Sequence, residues 1–299
     1  MKTKTILAIT LTMVILFACT PVAAPVSPTE TAAPSTFTAY PPTPTITPSP
    51  APQFPKGTFT ISTVDDMKQL SVPAGEFRMG TLEDGEWISE NEIPQHVVYL
   101  DGFWMDEIEV TNAQYKQCVD AGACAPPRRI SSYSKPEYFG NPEFDQFPVV
   151  YVDWEQARTY CEWTGRRLPT EAEWEKAARS TDGRLYPWEG DAKGEYFANF
   201  TFYMFEDPVA VKTYPPGVSP YGMYDMGGNV YEWVADWYSP TYYTESPQTN
   251  PYGPNTGLTR VMRGGGWSSD WIYIRTSARM HYYPQDSSSD LGFRCAQSQ

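Results

Sequence analysis

Histidine is nearly absent from this chain: His96 and His281 are the only two in 299 residues. Two isolated imidazoles argue against a histidine-built metal cluster and leave each as a packed or surface ring. Basic charge is also short. Twenty-two lysines and arginines stand against 36 aspartates and glutamates, a net charge of −14, and they form no basic block. Phosphate backbones are held by clustered lysine and arginine, so the composition argues against nucleic acid as a partner. An acidic balance fits an exported protein that stays in solution and could hold a hard cation. The chain also lacks a P-loop, a nucleophile elbow and a paired-carboxylate signature.

What is present divides the chain in three. Residues 1–18 carry Lys2 and Lys4, then an apolar run from Ile6 to Phe17 that is too short to span a bilayer. This reads as a secretory signal. It ends in Leu16-Phe17-Ala18-Cys19, a lipobox pattern in which Cys19 receives the lipid; the alternative is ordinary cleavage near Val22-Ala23-Ala24. Acyl chains would hold the protein at the bacterial envelope without a transmembrane helix. Residues 19–58 are rich in Pro, Thr, Ser and Ala with little charge. Such a segment buries too little apolar surface to fold and reads as an extended tether whose Ser and Thr are candidates for O-glycosylation. Residues 59–299 remain for one folded domain, ample for a core.

Of five cysteines, lipid takes Cys19 and leaves Cys118, Cys124, Cys161 and Cys295. An exported chain would bond these as two disulfides, with three pairings open. Cys118 and Cys124 flank a turn short enough to close locally, which would leave Cys161 to join Cys295.

Three helices announce themselves by reciprocal caps. Thr111 with Gln114 predicts a helix running towards Val119; Asp153 with Gln156 predicts a second, stopped by Gly165; Thr170 with Glu173 predicts a third, through Trp174 to Ala178. On the third, Glu171, Glu173 and Glu175 read as cap and solvent-face residues. Val72–Gly80 reads as a short strand, and Val97–Leu100 with Phe103–Met105, split by Asp101-Gly102, as a hairpin. In the C-terminal segment, Gly264, Gly265 and Gly266 demand a sharp bend or a close approach. Trp271–Arg275 then reads as a strand and Leu291–Cys295 as a last one, a hairpin that closes the domain.

Gly165-Arg166-Arg167-Leu168-Pro169-Thr170-Glu171-Ala172-Glu173-Trp174-Glu175, Gly227-Gly228-Asn229-Val230-Tyr231-Glu232-Trp233, Arg263-Gly264-Gly265 and Gly292-Phe293-Arg294-Cys295 resemble the sulfatase-modifying factor family, built on the formylglycine-generating enzyme domain. Glu109-Val110-Thr111-Asn112 and the Pro148–Trp154 block fit as well. The resemblance implies an α+β fold, an irregular C-type-lectin-like architecture with little regular secondary structure and two or three short helices. It also implies a Cys161–Cys295 bridge. For calcium it implies the side chains of Asp225 and Glu232 with the carbonyls of Gly228 and Val230. A second calcium would use Asn199 and the Phe200 carbonyl, with Asp207 as the candidate downstream aspartate.

The family's oxidase holds copper(I) on two thiolates and converts a substrate cysteine to formylglycine. Copper(I) is soft and requires soft sulfur. Registered from Arg263-Gly264-Gly265, the two thiol positions fall on Ser269 and Ile274, and the active enzymes' serine falls on Gly266. Copper is therefore not expected. The histidine cluster of the family's iron-dependent branches is missing as well. The expectation is a non-catalytic, calcium-stabilised binding or assembly module. Its surface would involve Trp267, Ser269, Trp271, Tyr273, Tyr282 and Asp290, facing an exported protein or a cell-surface ligand. The alternatives are a divergent enzyme modifying an exported partner, and a variable ligand-display receptor of the same fold.

Overall fold

All three reciprocal caps close in the structure. Thr111 opens α1 (Asn112–Asp120), Asp153 opens α2 (Trp154–Trp163) and Thr170 opens α3 (Glu171–Arg179), each bonding its N3 backbone and receiving the N3 side chain in return. Each cap satisfies donors that a helix end leaves without intrahelical partners. The computed structural model describes residues 54–82, 87–190, 196–200 and 207–299. The chain divides into two units, Met1–Pro48 and Ser49–Gln299. The signal, Cys19 and nearly all of the tether lie outside the described residues.

Among the described residues ten short strands accompany the helices: β1 (Phe59–Ile61), β2 (Lys68–Val72), β3 (Gly75–Met79), β4 (His96–Leu100), β5 (Phe103–Asp106), β6 (Tyr231–Trp237), β7 (Arg260–Arg263), β8 (Met280–Tyr282), β9 (Leu291–Phe293) and β10 (Ala296–Ser298). They form a sheet ordered β1-β2-β5-β10, a β3-β4 pair, and a sheet ordered β8-β7-β6-β9 in which β6 and β9 run parallel. This is the expected α+β class with little regular structure.

Two strand expectations are corrected. Leu100 and Phe103 flank no hairpin, because β4 pairs with β3 while β5 sits between β2 and β10 in another sheet. The Asp101 N–H is taken by Asn250 Oδ1 at 2.9 Å, and the Gly102 carbonyl accepts from Gln299 N. Distant chain thus captures the turn that a hairpin would have used. Trp271–Arg275 is likewise not a strand but a series of turns. Tyr273 N closes back on the Asp270 carbonyl, Arg275 Nε on the Ile272 carbonyl, and the Arg275 guanidinium pairs with buried Glu92 at 2.7–2.8 Å. The β-branched and aromatic residues are there, but their backbone groups have local and side-chain partners instead of a ladder.

α3 corrects a third expectation. Every residue of it is buried. Glu173 is a cap and pairs with Arg167, but Glu171 and Glu175 face inward. Arg263 donates to Glu171 Oε1 at 3.0 Å and to Glu175 Oε2 at 2.6 Å, and also to the Thr276 carbonyl at 2.6 Å. Arg279 grips both oxygens of Glu171, while Arg179 and the Gly80 N–H hold Glu175 Oε1. Burial opposes the ionised form of Glu175, but Arg263 and Arg179 outweigh it and hold its carboxyl below the usual glutamate range. The apolar core lies around this network, one cluster uniting β2–β5 with α3 and a second uniting α1, α2, β6 and β9. Cys118–Cys124 and Cys161–Cys295 are both bonded, the latter tying α2 to the chain just after β9.

Removing one partner of a buried, hydrogen-bonded ion pair strands the other charge, at a cost of about 3–5 kcal/mol. Arg263→Met should lose that much in urea unfolding of the full chain. A loss below about 1 kcal/mol would mean that Glu171 and Glu175 are satisfied without it.

Candidate functional site

The glycines that opened the C-terminal segment lie where the chain passes closest to itself. Gly265 has φ +71°, and a Cβ there would stand 2.7 Å from Ile274 Cγ2 and 3.1 Å from the Tyr273 backbone. Arg263, pinned under α3, sets the entry to this bend. Gly264 then accepts from Gly228 N at 2.8 Å and Trp267 N donates to the Asn229 carbonyl at 2.7 Å, so the two glycine loops are stitched together.

Ser269 and Ile274 both pack against the bend, and neither is an open ligand position. Ser269 is buried; its hydroxyl donates to Tyr231 Oη and accepts from Gly266 N, both at 2.9 Å. Burial pushes the Tyr231 phenol up to about 12, so it stays a protonated partner at neutral pH. Ile274 is fully buried in an aliphatic–aromatic cluster with Tyr186, Trp188, Ala198 and Phe200. A hydroxyl locked in a hydrogen-bonded turn and a packed isoleucine present no thiolate to a soft metal. The domain's four cysteines are all in disulfides.

The rest of the expected surface is uneven. Trp267 is largely buried: its indole N–H donates to the Ser289 carbonyl, and its ring leans on Tyr133 at 5.3 Å. Asp290 accepts from Ser268 and Ser288 hydroxyls, each at 2.6 Å. Trp271 is half-buried and meets Trp87 edge to face at 6.1 Å. Tyr273 and Tyr282 are exposed, as are Trp87, Tyr133 and Tyr283. Trp87 and Tyr133 were not legible as part of this face, since only folding brings their loops beside the segment.

The second loop is Asp225–Glu232. Asp225 and Asn229 adopt φ +58° and +63°, and a Cβ at Gly228 would meet the Asn199 carbonyl at 2.5 Å. Asp225 Oδ2 accepts from Lys212 N at 2.9 Å. Glu232 is held by Arg294 through both oxygens at 2.7 Å and by Trp174 Nε1 at 2.8 Å. Trp233 pins the strand that follows by donating to the Val152 carbonyl.

Glu109 joins this site, a role the sequence alone did not assign. Its carboxylate receives Asn229 Nδ2 at 2.6 Å and Val230 N at 3.1 Å. Burial, and then the charges of Asp225 and Glu232, push Glu109 well above the usual carboxylate range. Burial also raises Asp225 to about 6, against the Lys212 N–H and Arg294. Three buried carboxyl groups therefore share one fully buried guanidinium, while the Lys212 ammonium goes to Glu107. Among the described residues no group of three or more His, Cys, Asp or Glu side chains is placed to hold a metal ion. The loop gathers the Asp225 and Glu232 carboxyl groups beside its glycine backbone, with Asp225 Oδ2 on the Lys212 N–H and both oxygens of Glu232 on Arg294 and Trp174. In the sequence Glu109 appeared only as the first residue of a family-like block before the α1 cap, over 100 residues from its partners.

Comparison with known proteins places this geometry. The sulfatase-modifying factor enzyme 1-like domain matches residues 57–299, and the chain belongs to that family. The formylglycine-generating enzyme of Streptomyces coelicolor is 36% identical over 282 residues, covering 76% of this chain and 88% of that protein. The inactive C-alpha-formylglycine-generating enzyme 2 of Mus musculus is 30% identical over 292 residues, covering 78% and 86%. Among solved structures, PvdO from Pseudomonas aeruginosa superposes with a TM-score of 0.70 at 27% identity, over 82% of this chain and all of that one.

Proposed function

We propose that this chain is a non-catalytic member of its family, a calcium-braced binding or assembly module presented from the bacterial envelope by a lipid on Cys19 and the tether of residues 19–58. The observation that carries the reading is the state of the two thiol positions. Ser269 is committed to Tyr231 and Gly266, and Ile274 is core. Neither can hold copper(I), and the remaining cysteines are spent on disulfides. The surface offered to a partner is the polar-aromatic face around Tyr273, Tyr282 and Asp290, widened by Trp87 and Tyr133. Exposed Tyr and Trp with Ser and Asp between them suit recognition of an exported protein or a cell-surface ligand. Calcium at Asp225 and Glu232, with the carbonyls of Gly228 and Val230, offsets the surplus charge there and holds the loop that supports Gly264.

The alternative, a divergent oxidase acting on an exported partner, draws on the 36% identity to the Streptomyces enzyme. Incubating the full chain with copper(I), a thiol reductant and a cysteine-containing peptide separates the two. Non-catalytic binding predicts no aldehyde in the peptide and no thiol-dependent oxygen uptake above buffer; turnover would establish the oxidase. Calcium binding has its own readout. Adding calcium to metal-stripped protein should raise the melting temperature of the wild type and leave Asp225→Ala unchanged, whereas equal shifts in both would remove the ion from this loop.

A further inference from the structure

Lys212 is the last lysine in the chain, so everything after it carries positive charge on arginine alone. Each of those arginines is turned inward. Arg263 and Arg279 close on Glu171, Arg275 on Glu92 and Arg294 on Glu232. Arg260 is stacked between the Trp154 and Trp237 rings, at 3.8 and 3.5 Å, and donates to the Ala235 carbonyl. His281 lies on the Tyr238 ring at 4.0 Å, and burial and then Arg279 hold it below the usual histidine range, so it adds no charge at neutral pH. The acids of the same stretch divide differently. Asp225, Glu232 and Asp236 are buried, whereas Glu245 and Asp270 are exposed and Asp286 and Asp290 are half-buried.

Three of these outward carboxylates sit on two loops that fold against each other. The Trp267 indole donates to the Ser289 carbonyl at 3.0 Å and the Ser268 hydroxyl to Asp290 at 2.6 Å, which joins residues 267–273 to residues 283–290. Asp290 and Tyr273 both act on the Tyr231 phenol, to which Ser269 donates, so they stand around one point. Asp286 N returns to the Tyr283 carbonyl at 2.9 Å, and an exposed ring and a carboxylate thus share one turn. On the border, Lys135 is paired with Asp207 and Arg128 with Asp153. Arg129 is exposed over the Tyr151 ring at 5.3 Å, and Tyr151 N bonds to the Ser288 carbonyl, so this cation marks one rim of the face.

Exposed rings and carboxylates with the arginines withdrawn form a surface of one sign. Ring faces and carboxylates both attract cations, and a guanidinium gains from each. Inside the molecule this chain already uses that pairing: Arg279 lies over Tyr243 at 4.1 Å while it holds Glu171. We propose that the partner of this face is a cationic polypeptide segment, whose arginine or lysine side chains lie over Tyr273, Tyr282 and Tyr283 and pair with Asp270 and Asp286. The proposal rests on reading the segment as a partner face and adds the partner's charge. An acidic chain or an anionic lipid surface would meet repulsion here, and a neutral one would draw nothing from the carboxylates.

The test is fluorescence anisotropy of the full chain with three labelled octapeptides, in which serine alternates with arginine, glutamine or glutamate. At about 20 mM salt the arginine peptide should bind about tenfold more tightly than the glutamine peptide, and about 200 mM salt should weaken it about fivefold. The glutamate peptide should not bind. Asp270→Asn combined with Asp286→Asn should cost about fivefold and Tyr273→Ala about threefold, each with the melting temperature of wild type. Glu76→Gln combined with Glu245→Gln removes the same charge from other exposed positions and should bind like wild type. Equal losses in the two double variants would overturn the inference, because they would trace binding to overall acidity. A glutamine peptide that binds as tightly as the arginine peptide would overturn it too, leaving a partner face without a preference for charge. No binding of the arginine peptide would also overturn it. None of these results bears on the absence of catalysis, which is read by aldehyde formation.

Discussion

The fold depends on guanidinium groups buried against carboxylates, above all Arg263 between Glu171 and Glu175. Neither glutamate has water to fall back on, so each must find a cation, and each finds one far away in sequence. Arg263 and Arg279 come from the chain on either side of the glycine bend, Arg179 from the end of α3 itself. Trp174 on the same helix reaches across to Glu232, which Arg294 clamps from beyond β9. With so little regular sheet, these pairs set which segments lie together. They place the glycine bend under α3 and the Asp225–Glu232 loop beside it.

That frame can persist while the site it supports changes. The backbone approach at Gly265 and the pairing of Gly228 with Gly264 depend on glycine and on Arg263. They do not depend on what the side chains at 269 and 274 are. A serine hydroxyl satisfied inside the turn and an isoleucine filling the cavity beside Tyr186 and Trp188 keep the same close packing. What the segment then presents outward is aromatic rings and small polar groups, with its arginines turned inward to Glu92, Glu171 and Glu175.

How much of this could be read from the chain follows from the range of each interaction. The helix starts were legible because a cap and its N3 partner are three residues apart. The Cys161–Cys295 bridge and the glycine-rich loop running from Asp225 to Glu232 were legible through motif blocks. Misreadings arose where distant partners decided. Glu171 and Glu175 look like solvent-face residues until Arg263 and Arg279 arrive, which no helical spacing announces. Trp271–Arg275 has strand composition, but Arg275 is claimed by Glu92 and Ile274 by an aromatic cluster. Asp101-Gly102 has hairpin composition, but Asn250 and Gln299 take its backbone groups. The place of Glu109 beside Asn229 went unread for the same reason.

The claim beneath the account is that an oxidase scaffold stands here without the sulfur pair that would run its chemistry. Anaerobic titration of the full chain with copper(I), against a chromogenic copper(I) chelator, examines it most directly. The account predicts that the protein leaves the chelator's copper untouched. Withdrawal of one equivalent of copper by the disulfide-intact protein would contradict it and return the site to metal chemistry.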